Sequence, residues 1–566
     1  MKKGTKASVL LLFLFLTACG SGQEETETKK DIDEKYGYDS PVEVSIALAY
    51  AADMHWAGEE TPEDNAWLDL YREYNIIPEI AYSVDSSQSE VKQESAILSG
   101  NYPDILNGDL SKYKEWVQNG VIADITQAYE TYASKELKEY MERENGEILK
   151  MLTIDGKLYG IPRIDNSYEQ FPMMFIRQDW LEHLGLDIPK TMEELEKTAY
   201  AFTFQDPDGN GIQDTYGLAI DGINMVTDEV GTSSPVFAAY GAYLGNDTYA
   251  FIDDKEGNPV WGGANVEGME KGLAFLQKLY QDGVICRDAV TMDNNGVFED
   301  AGSGRCGIWF GPYWGGMVPA SELLNNNENA KVIAAAVPSG IEGEKTKAYL
   351  PSSVRSVYTV SSQCENPEVL VKILNLSVQK IFYPESEEEY YKYGWGDNDH
   401  YSGARASIAY LVNPEEGYNI FRVLPKALQT GDTSDLDIRQ RKTYENIHAW
   451  LEARETGSVN LQDSRQIAGI SACTVFEGDH CAWAVIDEMR RADCFLTPAY
   501  KGLGDDVIVG NAQTLQQVTR EILAKIMTGA ESPKAYGDFV KTWESIGGSQ
   551  VLEAIRDWKE EQKIEN

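Results

Sequence analysis

The clearest pattern of apolar and polar positions is a strict alternation over residues 42–48, which predicts a β-strand. After it, a Thr-Pro pair at 61–62 predicts the N-cap and first-turn proline of a helix, because apolar residues then recur at helical spacing. A strand near 76–82, a helix over 89–98 and a short strand over 104–106 follow. This order is typical of a parallel α/β sheet with right-handed crossovers. The apolar residues of the first helix are Trp67, Leu70, Tyr71 and Tyr74.

Polar and aromatic residues follow two of these predicted strands. In open α/β sheets the ligand binds beyond the carboxyl ends of the strands. Those ends correspond to 53–56 and 107–109, which makes Asp53, Trp56 and Asp109 candidate ligand contacts.

The N-terminal residues have the pattern of an export signal. Lysines precede an apolar run over 9–16, which is shorter than the about 20 apolar residues that span a bilayer. The quartet Leu-Thr-Ala-Cys at 16–19 resembles the lipobox of bacterial lipoproteins, so we expect 1–19 to be a lipoprotein signal peptide and Cys19 to be lipidated. An ordinary secretory signal is the alternative. Residues 20–40 have few apolar side chains and are expected to form a disordered tether.

Charge limits the partners. The chain has 92 Asp and Glu against 49 Lys and Arg, a net charge of −43. Such a surface repels nucleic-acid phosphates and anionic lipid headgroups, so we expect no nucleic-acid partner and membrane attachment through the lipid only. Six further cysteines could form three disulfides or remain buried apolar residues. They are Cys286, Cys306, Cys364, Cys473, Cys481 and Cys494.

Short motifs along the whole chain give a more specific indication by their order. They include Asp-Gly-Lys-Leu-Tyr-Gly-Ile-Pro at 155–162 and Arg-Gln-Asp-Trp-Leu at 177–181, with others at 99–105, 189–195, 526–529, 539–543 and 546–548. In this order the sequence resembles the family 1 extracellular solute-binding proteins. The resemblance is greatest to the large Gram-positive lipoprotein branch, which is similar to the alginate-oligosaccharide-binding proteins.

The resemblance implies an α/β fold, a two-lobed, periplasmic-binding-protein-like (type II) clamshell with hinge crossings. It also implies a monomer on the extracellular face of the cell membrane of a Gram-positive bacterium, with an oligosaccharide ligand and the permease subunits of an ABC transporter as partners. Lobe 1 is expected over 41–165 plus 356–490, and lobe 2 over 170–350 plus 495–566. The expected crossings are 161–172, 352–358 and 495–499.

A loop at 206–214 has the spacing of a calcium loop. Oxygen side chains at loop positions 1, 3, 5 and 9, a glycine at 6 and a backbone carbonyl at 7 are what an EF-hand-like loop requires. Position 12 is Gly217 and not a glutamate, so we expect structural Ca²⁺ and not a calcium sensor. A metal-free Asx-turn loop is the alternative. The predicted ligands are Asp206, Asp208, Asn210, Ile212 and Asp214.

Sugar recognition requires flat aromatic faces and polar groups for the hydroxyls. The candidate aromatic residues are Trp56, Trp309, Tyr313, Trp314 and Trp395, and the polar candidates, including one tyrosine, are Asp53, Asp109, Arg163, Tyr168 and Arg355. A lone tryptophan is more often a core residue. Trp314 is favoured as a ligand platform because glycines surround it, whereas Arg177 and Asp179 are interpreted as scaffold.

Three classes of function remain. The first is a receptor that captures an oligosaccharide for an ABC importer, and the second is a lipoprotein of the same fold that binds another small solute or a peptide for sensing. The third is a polysaccharide-degrading enzyme, but the sequence has no nucleophile elbow, Walker loop or HExxH motif. We therefore predict a binding protein and no catalytic residues.

Overall fold

The structure, a computed structural model, describes residues 32–51, 54, 56–245, 249–327, 329–394 and 403–565. Three sequence candidates, Cys19, Asp53 and Trp395, lie outside these residues. Within them, no helix is both long enough and apolar enough to cross a bilayer. The six cysteines considered for disulfides are all free.

The chain first builds lobe 1. Its elements there are β1 (Val42–Tyr50), α1 (Ala66–Glu73), β2 (Ile76–Asp85), α2 (Ser89–Ser99), β3 (Ile105–Gly108), α3 (Leu110–Gln118), α4 (Thr126–Tyr132), α5 (Lys135–Met141), α6 (Glu147–Leu152), β4 (Thr153–Ile154), β5 (Lys157–Leu158) and β6 (Gly160–Ile164).

The chain then crosses and builds lobe 2. The elements are α7 (Ser167–Gln170), β7 (Met173–Arg177), α8 (Gln178–Leu184), α9 (Met192–Phe204), β8 (Tyr216–Leu218), α10 (Ser234–Ala238), β9 (Phe251–Asp253), β10 (Pro259–Trp261), α11 (Val266–Gln281), α12 (Asn294–Gly302), β11 (Cys306–Gly311), α13 (Met317–Asn326), β12 (Val332–Ala335) and β13 (Ala348–Tyr349).

It returns to lobe 1 and finishes on lobe 2. The returning elements are β14 (Val354–Val360), α14 (Val369–Ser377) and α15 (Glu387–Tyr393). The last elements are α16 (Glu416–Thr430), α17 (Ile438–Thr456), α18 (Ser464–Phe476), α19 (Ala482–Arg491), β15 (Phe495–Leu496), α20 (Asp506–Met527), α21 (Tyr536–Trp543) and α22 (Ser549–Glu565).

The local patterns near the N-terminus predict these elements well. β1 pairs in parallel with β2, and α2 ends at Gly100, whose φ of 73° is left-handed. The predicted start of α1 at 61–62 is wrong, because Asn65 caps the helix through its side-chain oxygen, which accepts from the backbone N–H groups of Trp67 and Leu68.

A strand from the second half of the chain completes lobe 1. β14 lies between β3 and β6 and pairs antiparallel with both, so the predicted all-parallel sheet holds only for β1 and β2. β3 stays beside β1 through Asp104, whose carboxylate accepts from Ser45 N at 2.7 Å. Lobe 1 is therefore discontinuous in sequence.

The sheet of lobe 2, in the order β12-β7-β11-β8, buries both of its faces. Met174 and Ile176 of β7 face a core with residues of α9 and α11, whereas Met173 and Phe175 face a core that includes Trp483 of α19. Residues 416–490 were predicted to belong to lobe 1, but this second apolar face requires a cover and α19 supplies it. The third crossing lies accordingly between Leu411 of the lobe 1 core and α16, not at 495–499.

The last part of the predicted tether belongs to the fold. Residues 32–39, which we call the N-terminal strap, lie on lobe 1, where Tyr36 and Tyr38 pack against the core. Lys372 of α14 donates to the carbonyls of Glu34 and of Gly37, the latter at 3.0 Å. These contacts offset the low apolar content from which disorder over 20–40 was predicted.

The strap gives a test of stability. Lys372 is 2% exposed, its ammonium lies 4.1 Å from the ring centre of Tyr132, and burial lowers its pKa. We expect Lys372→Met to lower the free energy of unfolding by about 1–3 kcal/mol, because buried carbonyls lose their donor. Urea unfolding measures this. Lys135→Met, at a lysine that is 80% exposed, is the control, and equal stability of the two variants would contradict the assignment.

Candidate functional site

Two of the candidates from the strand ends have local roles in lobe 1. Asp109 caps α3: its carboxylate accepts from Lys112 N at 2.8 Å and from Ser111 Oγ at 2.7 Å. Its side chain is exposed at the end of β3. Trp56 is half-buried and packs at the margin of the lobe 1 core.

Arg163 lies on the first crossing. Its guanidinium donates to Tyr410 Oη at 2.9 Å and stacks on that ring, 4.8 Å from its centre. Its Nε lies 3.3 Å from the carboxylate of Asp165. Arg163 therefore ties β6 to the segment that leads to the third crossing.

Tyr168 and Arg355 also lie where the lobes meet. Tyr168 packs edge-on against Phe495, with ring centres 5.0 Å apart, and carries the guanidinium of Arg490 on its ring. It lines an inter-lobe cavity of about 1510 Å³ between α3 and α6 on one side and α22 on the other. Arg355 is exposed and pairs with Asp228 of lobe 2 at 3.4 Å.

The glycine-rich segment after β11 is a packing motif as well as a loop. An added Cβ at Gly311 would lie 2.9 Å from Val230, and at Gly316 it would lie 2.7 Å from Phe175. Close packing against Val230 and Phe175 therefore explains why these positions are glycines. Close approach of a ligand ring to the backbone is not required to explain them. Trp309 is a buried core residue, whereas Trp314 is only half-buried and stacks on Phe298 with ring centres 6.0 Å apart.

Tyr313 takes part in a group that we call the inter-lobe polar cluster: Asp165, Glu169, Tyr313, Glu416 and Arg439. The parts come from the first and third crossings, from the segment after β11 and from α17. Asp165 follows β6, Glu169 lies on α7, Tyr313 follows β11, and Glu416 begins α16. Arg439 on α17 lies 2.6 Å from the Glu416 carboxylate.

The backbone around the cluster is held by specific contacts. Asn166 caps α7 and donates from its amide to the Pro414 carbonyl at 2.8 Å, which fixes α7 beside the start of α16. Gly417 leaves room for the Glu169 carboxylate, since a Cβ there would lie 2.3 Å from it. The position of Glu169 therefore depends on a glycine in the next element.

The electrostatics of the cluster are unusual. Burial, with Glu416 and Asp165 nearby, raises the pKa of Glu169 to about 8, although Arg439 opposes the shift. Burial raises the pKa of Glu416 to about 7. Burial also raises the pKa of the Tyr313 hydroxyl, and the neighbouring carboxylates add to this.

The cluster is nevertheless accessible to solvent. The side chains of Arg439 and Glu416 keep 26% and 22% of their exposure, and that of Asp165 keeps 18%. Together these groups offer carboxylate acceptors, a guanidinium and the aromatic face of Tyr313, which suit a polyhydroxylated ligand.

Of the five cluster residues only Tyr313 was predicted from the sequence, whereas Asp165, Glu169, Glu416 and Arg439 were not. Acidic residues number 92 in the chain, so no carboxylate is distinctive by itself. The local sequence features near Glu169 and Glu416 are the helix cap at Asn166 and the glycine at 417. Neither feature indicates that these glutamates lie close to Arg439 in the folded chain.

The residues of the predicted calcium loop lie between α9 and β8. Asn210 donates from its amide to the Asp208 carboxylate at 2.7 Å, and Asp206 accepts from Gly211 N at 3.1 Å. Burial raises the pKa of Asp208, with Asp206 and Asp214 adding to the shift. Ile212 is 61% exposed.

The aspartates of this loop have the oxygen chemistry that Ca²⁺ prefers, but their geometry is that of a turn. Nowhere in the described part of the chain are three or more His, Cys, Asp or Glu side chains arranged to hold a metal ion. The loop is closed by its own hydrogen bonds, which are compatible with both the calcium loop and the Asx-turn alternative.

The pair interpreted as scaffold does have a structural role. Arg177 is 1% exposed, binds Asp179 through two hydrogen bonds of 2.9 and 2.7 Å, and lies over the ring of Trp180. It fixes the start of α8 and has no part in the cluster.

Comparison with known proteins agrees with the architecture. The polygalacturonan/rhamnogalacturonan-binding protein YtcQ of Bacillus subtilis (strain 168) is 28% identical over 304 residues, 52% of this chain and 53% of YtcQ. The chain thus spans about half the length of the first curated relative it matches.

Solved structures share the fold. The substrate-binding protein FusA of S. pneumoniae in complex with kestose has a TM-score of 0.62 at 16% identity, covering 93% of this chain and 100% of that one. The alginate-binding protein AlgQ2 without calcium ion has a TM-score of 0.59 at 16% identity, covering 93% and 99%. The expected two-lobed α/β fold is confirmed.

The family model described as bacterial extracellular solute-binding protein matches residues 57–376, more than half of the chain. The motifs quoted from the sequence at 99–105, 155–162, 177–181 and 189–195 lie inside this match. The chain belongs to the family of bacterial extracellular solute-binding proteins.

Proposed function

We propose that this protein captures an oligosaccharide between its lobes and delivers it, as a monomer, to the permease subunits of an ABC importer. The observation that carries the proposal is the inter-lobe polar cluster, in which desolvated carboxylates and a guanidinium remain accessible beside Tyr313. Sugar hydroxyls are donors that suit such carboxylates, and aromatic faces suit the apolar side of a pyranose or furanose ring. The names of YtcQ and AlgQ2 and the kestose bound to FusA support a carbohydrate ligand.

Binding without catalysis is the simpler assignment. Glycoside hydrolysis requires two carboxyl groups on either side of a sugar bond, and Glu416 is already engaged by Arg439. We infer that the clamshell closes on the sugar and releases it intact.

Two further assignments come from the sequence. We propose that Cys19 carries the lipid that holds the protein at the extracellular face of the cell membrane. We also propose that the loop at 206–214 binds structural Ca²⁺ after its side chains rearrange, because the mutual repulsion among Asp206, Asp208 and Asp214 would be relieved by a cation.

The first prediction concerns the aromatic platform. Trp314→Ala should weaken binding of the oligosaccharide by about 2–4 kcal/mol, as for a contact residue in a closed interface, with little change in stability. Titration calorimetry and urea unfolding measure the two quantities. Trp309→Ala, five residues away in the core, is the matched control and should lose about 3–5 kcal/mol of stability. Normal binding by Trp314→Ala would exclude this residue from the site.

The fate of the sugar tests the enzyme alternative in the same experiment. Chromatography of the oligosaccharide recovered from the complex should return the intact chain. Shortened products would favour a polysaccharide-degrading enzyme.

The second prediction concerns calcium. Ca²⁺ that binds only the folded state adds about 2.7 kcal/mol of stability when its free concentration is about 100 times Kd. A chelator should therefore lower the melting temperature of the wild type, and the double variant Asp206→Ala, Asp208→Ala should no longer respond. Asp254→Ala, in another Asx turn of lobe 2, should respond as the wild type does. No response of the metal-loaded wild type would favour the Asx turn.

The third prediction concerns the anchor. Cys19→Ala should abolish incorporation of labelled fatty acid and move the protein from the membrane fraction to the medium, since the acidic chain has no other membrane-seeking element in our assignment. Fractionation of cells with an antibody to the protein measures this. Retention of the variant in membranes would refute the lipid anchor.

A further inference from the structure

We propose that the inter-lobe polar cluster selects an oligosaccharide whose unit at this position is uncharged, and that it rejects a uronic acid unit there. The inference rests on the proposed function and names the ligand class for the same site. YtcQ and AlgQ2 are named for uronic acid polymers, whereas the sugar in the FusA complex is neutral, so the family itself leaves the choice open.

The first argument is that the nearby arginines are already engaged. Proteins usually hold a sugar carboxylate with a bidentate arginine. Arg439 lies 2.6 Å from Glu416, and Arg163 bonds Tyr410 and lies against Asp165. A uronate would have to share a guanidinium with Glu416, or with Asp165 and Tyr410.

Arg490, the third arginine in this region, is also engaged. Its guanidinium lies between two rings, 4.7 Å from the centre of Tyr168 and 5.0 Å from that of Tyr418. It braces α19 against the first crossing. Moving Arg490 from this position would expose two aromatic faces. Its role is therefore structural, and it is not available to bind an anion.

The second argument concerns acceptors. No residue in the described part of the chain donates a hydrogen bond to the Glu169 carboxyl group. A sugar hydroxyl can supply that donor, or can accept from the carboxyl group when it is protonated. A uronate oxygen can only accept, so it could bind Glu169 only in the protonated form, and it would face a second carboxyl group at Glu416.

The third argument is the cost of another negative charge. Burial, together with Glu416 and Asp165, raises the pKa of Glu169 to about 8 despite the nearby Arg439. Burial and the carboxylates of Glu416 and Asp165 thus disfavour an anion at this point. A ligand carboxylate at the same depth would meet the same desolvation and the same neighbours.

The test uses pairs of oligosaccharides that share linkage and length and differ only in the group at C6, such as galactotriose and trigalacturonate, together with kestose. The purified full-length protein in mild detergent is titrated with each by calorimetry. We expect at least one neutral sugar to bind, and each neutral member to bind about tenfold or more tightly than its uronate counterpart.

The outcomes separate this inference from the proposed function. Tighter binding of a uronate would overturn the selection of an uncharged unit and leave oligosaccharide capture standing. Binding of none of the sugars would overturn both.

A variant gives a readout that loss of folding cannot imitate. Glu416→Gln keeps the shape of the side chain but releases Arg439 from its ion pair, so uronate affinity should rise by about tenfold while neutral sugars lose affinity. Glu193→Gln, at an exposed glutamate of α9 that pairs with Lys197, is the matched control and should leave both affinities unchanged. An unchanged preference in a folded Glu416→Gln protein would refute the role of the pair.

Discussion

The pairing of β14 with β3 and β6 is the constraint on which the two-lobed structure depends. Backbone groups in the middle of a sheet must be satisfied, and β14 is the only strand in the described chain that satisfies those of both neighbours. Because β14 follows all the strands of the lobe 2 sheet, the chain must leave lobe 1, build lobe 2 and return. The crossings, and the site that lies among them, are consequences of this requirement.

The inter-lobe polar cluster lies where those crossings converge, and this explains its composition. The first crossing brings Asp165 and Glu169, and the third brings Glu416, to the edge of the hydrophobic core against which Tyr313 packs. Burial of such groups opposes folding unless partners are supplied. The ion pair of Arg439 with Glu416 offsets part of this free energy. Proteins commonly keep such unfavourable free energy at functional sites, where ligand binding can compensate it.

Local features of the fold were predictable, and long-range ones were not. The alternation over 42–48 and Gly100 at the end of α2 are decided by neighbouring residues. The antiparallel place of β14 and the attachment of α16 to α19 on lobe 2 are decided by which apolar face remains uncovered, such as that of Met173 and Phe175. The candidate site was only partly predictable, because its residues come from distant parts of the chain. Tyr313 lies in a recognisable motif, whereas Glu169 and Arg439 come together only in the folded chain.

The N-terminal strap determines where a mechanical load would enter the molecule. Lys372 holds it to lobe 1, and Asn375 reinforces it by donating to the Lys35 carbonyl at 2.6 Å. Tension applied at residue 32 is therefore borne by lobe 1 and does not pass through the crossings. Lobe 2 can therefore turn about the hinge without loading the N-terminal strap, and a force applied to the strap would neither open nor close the clamshell.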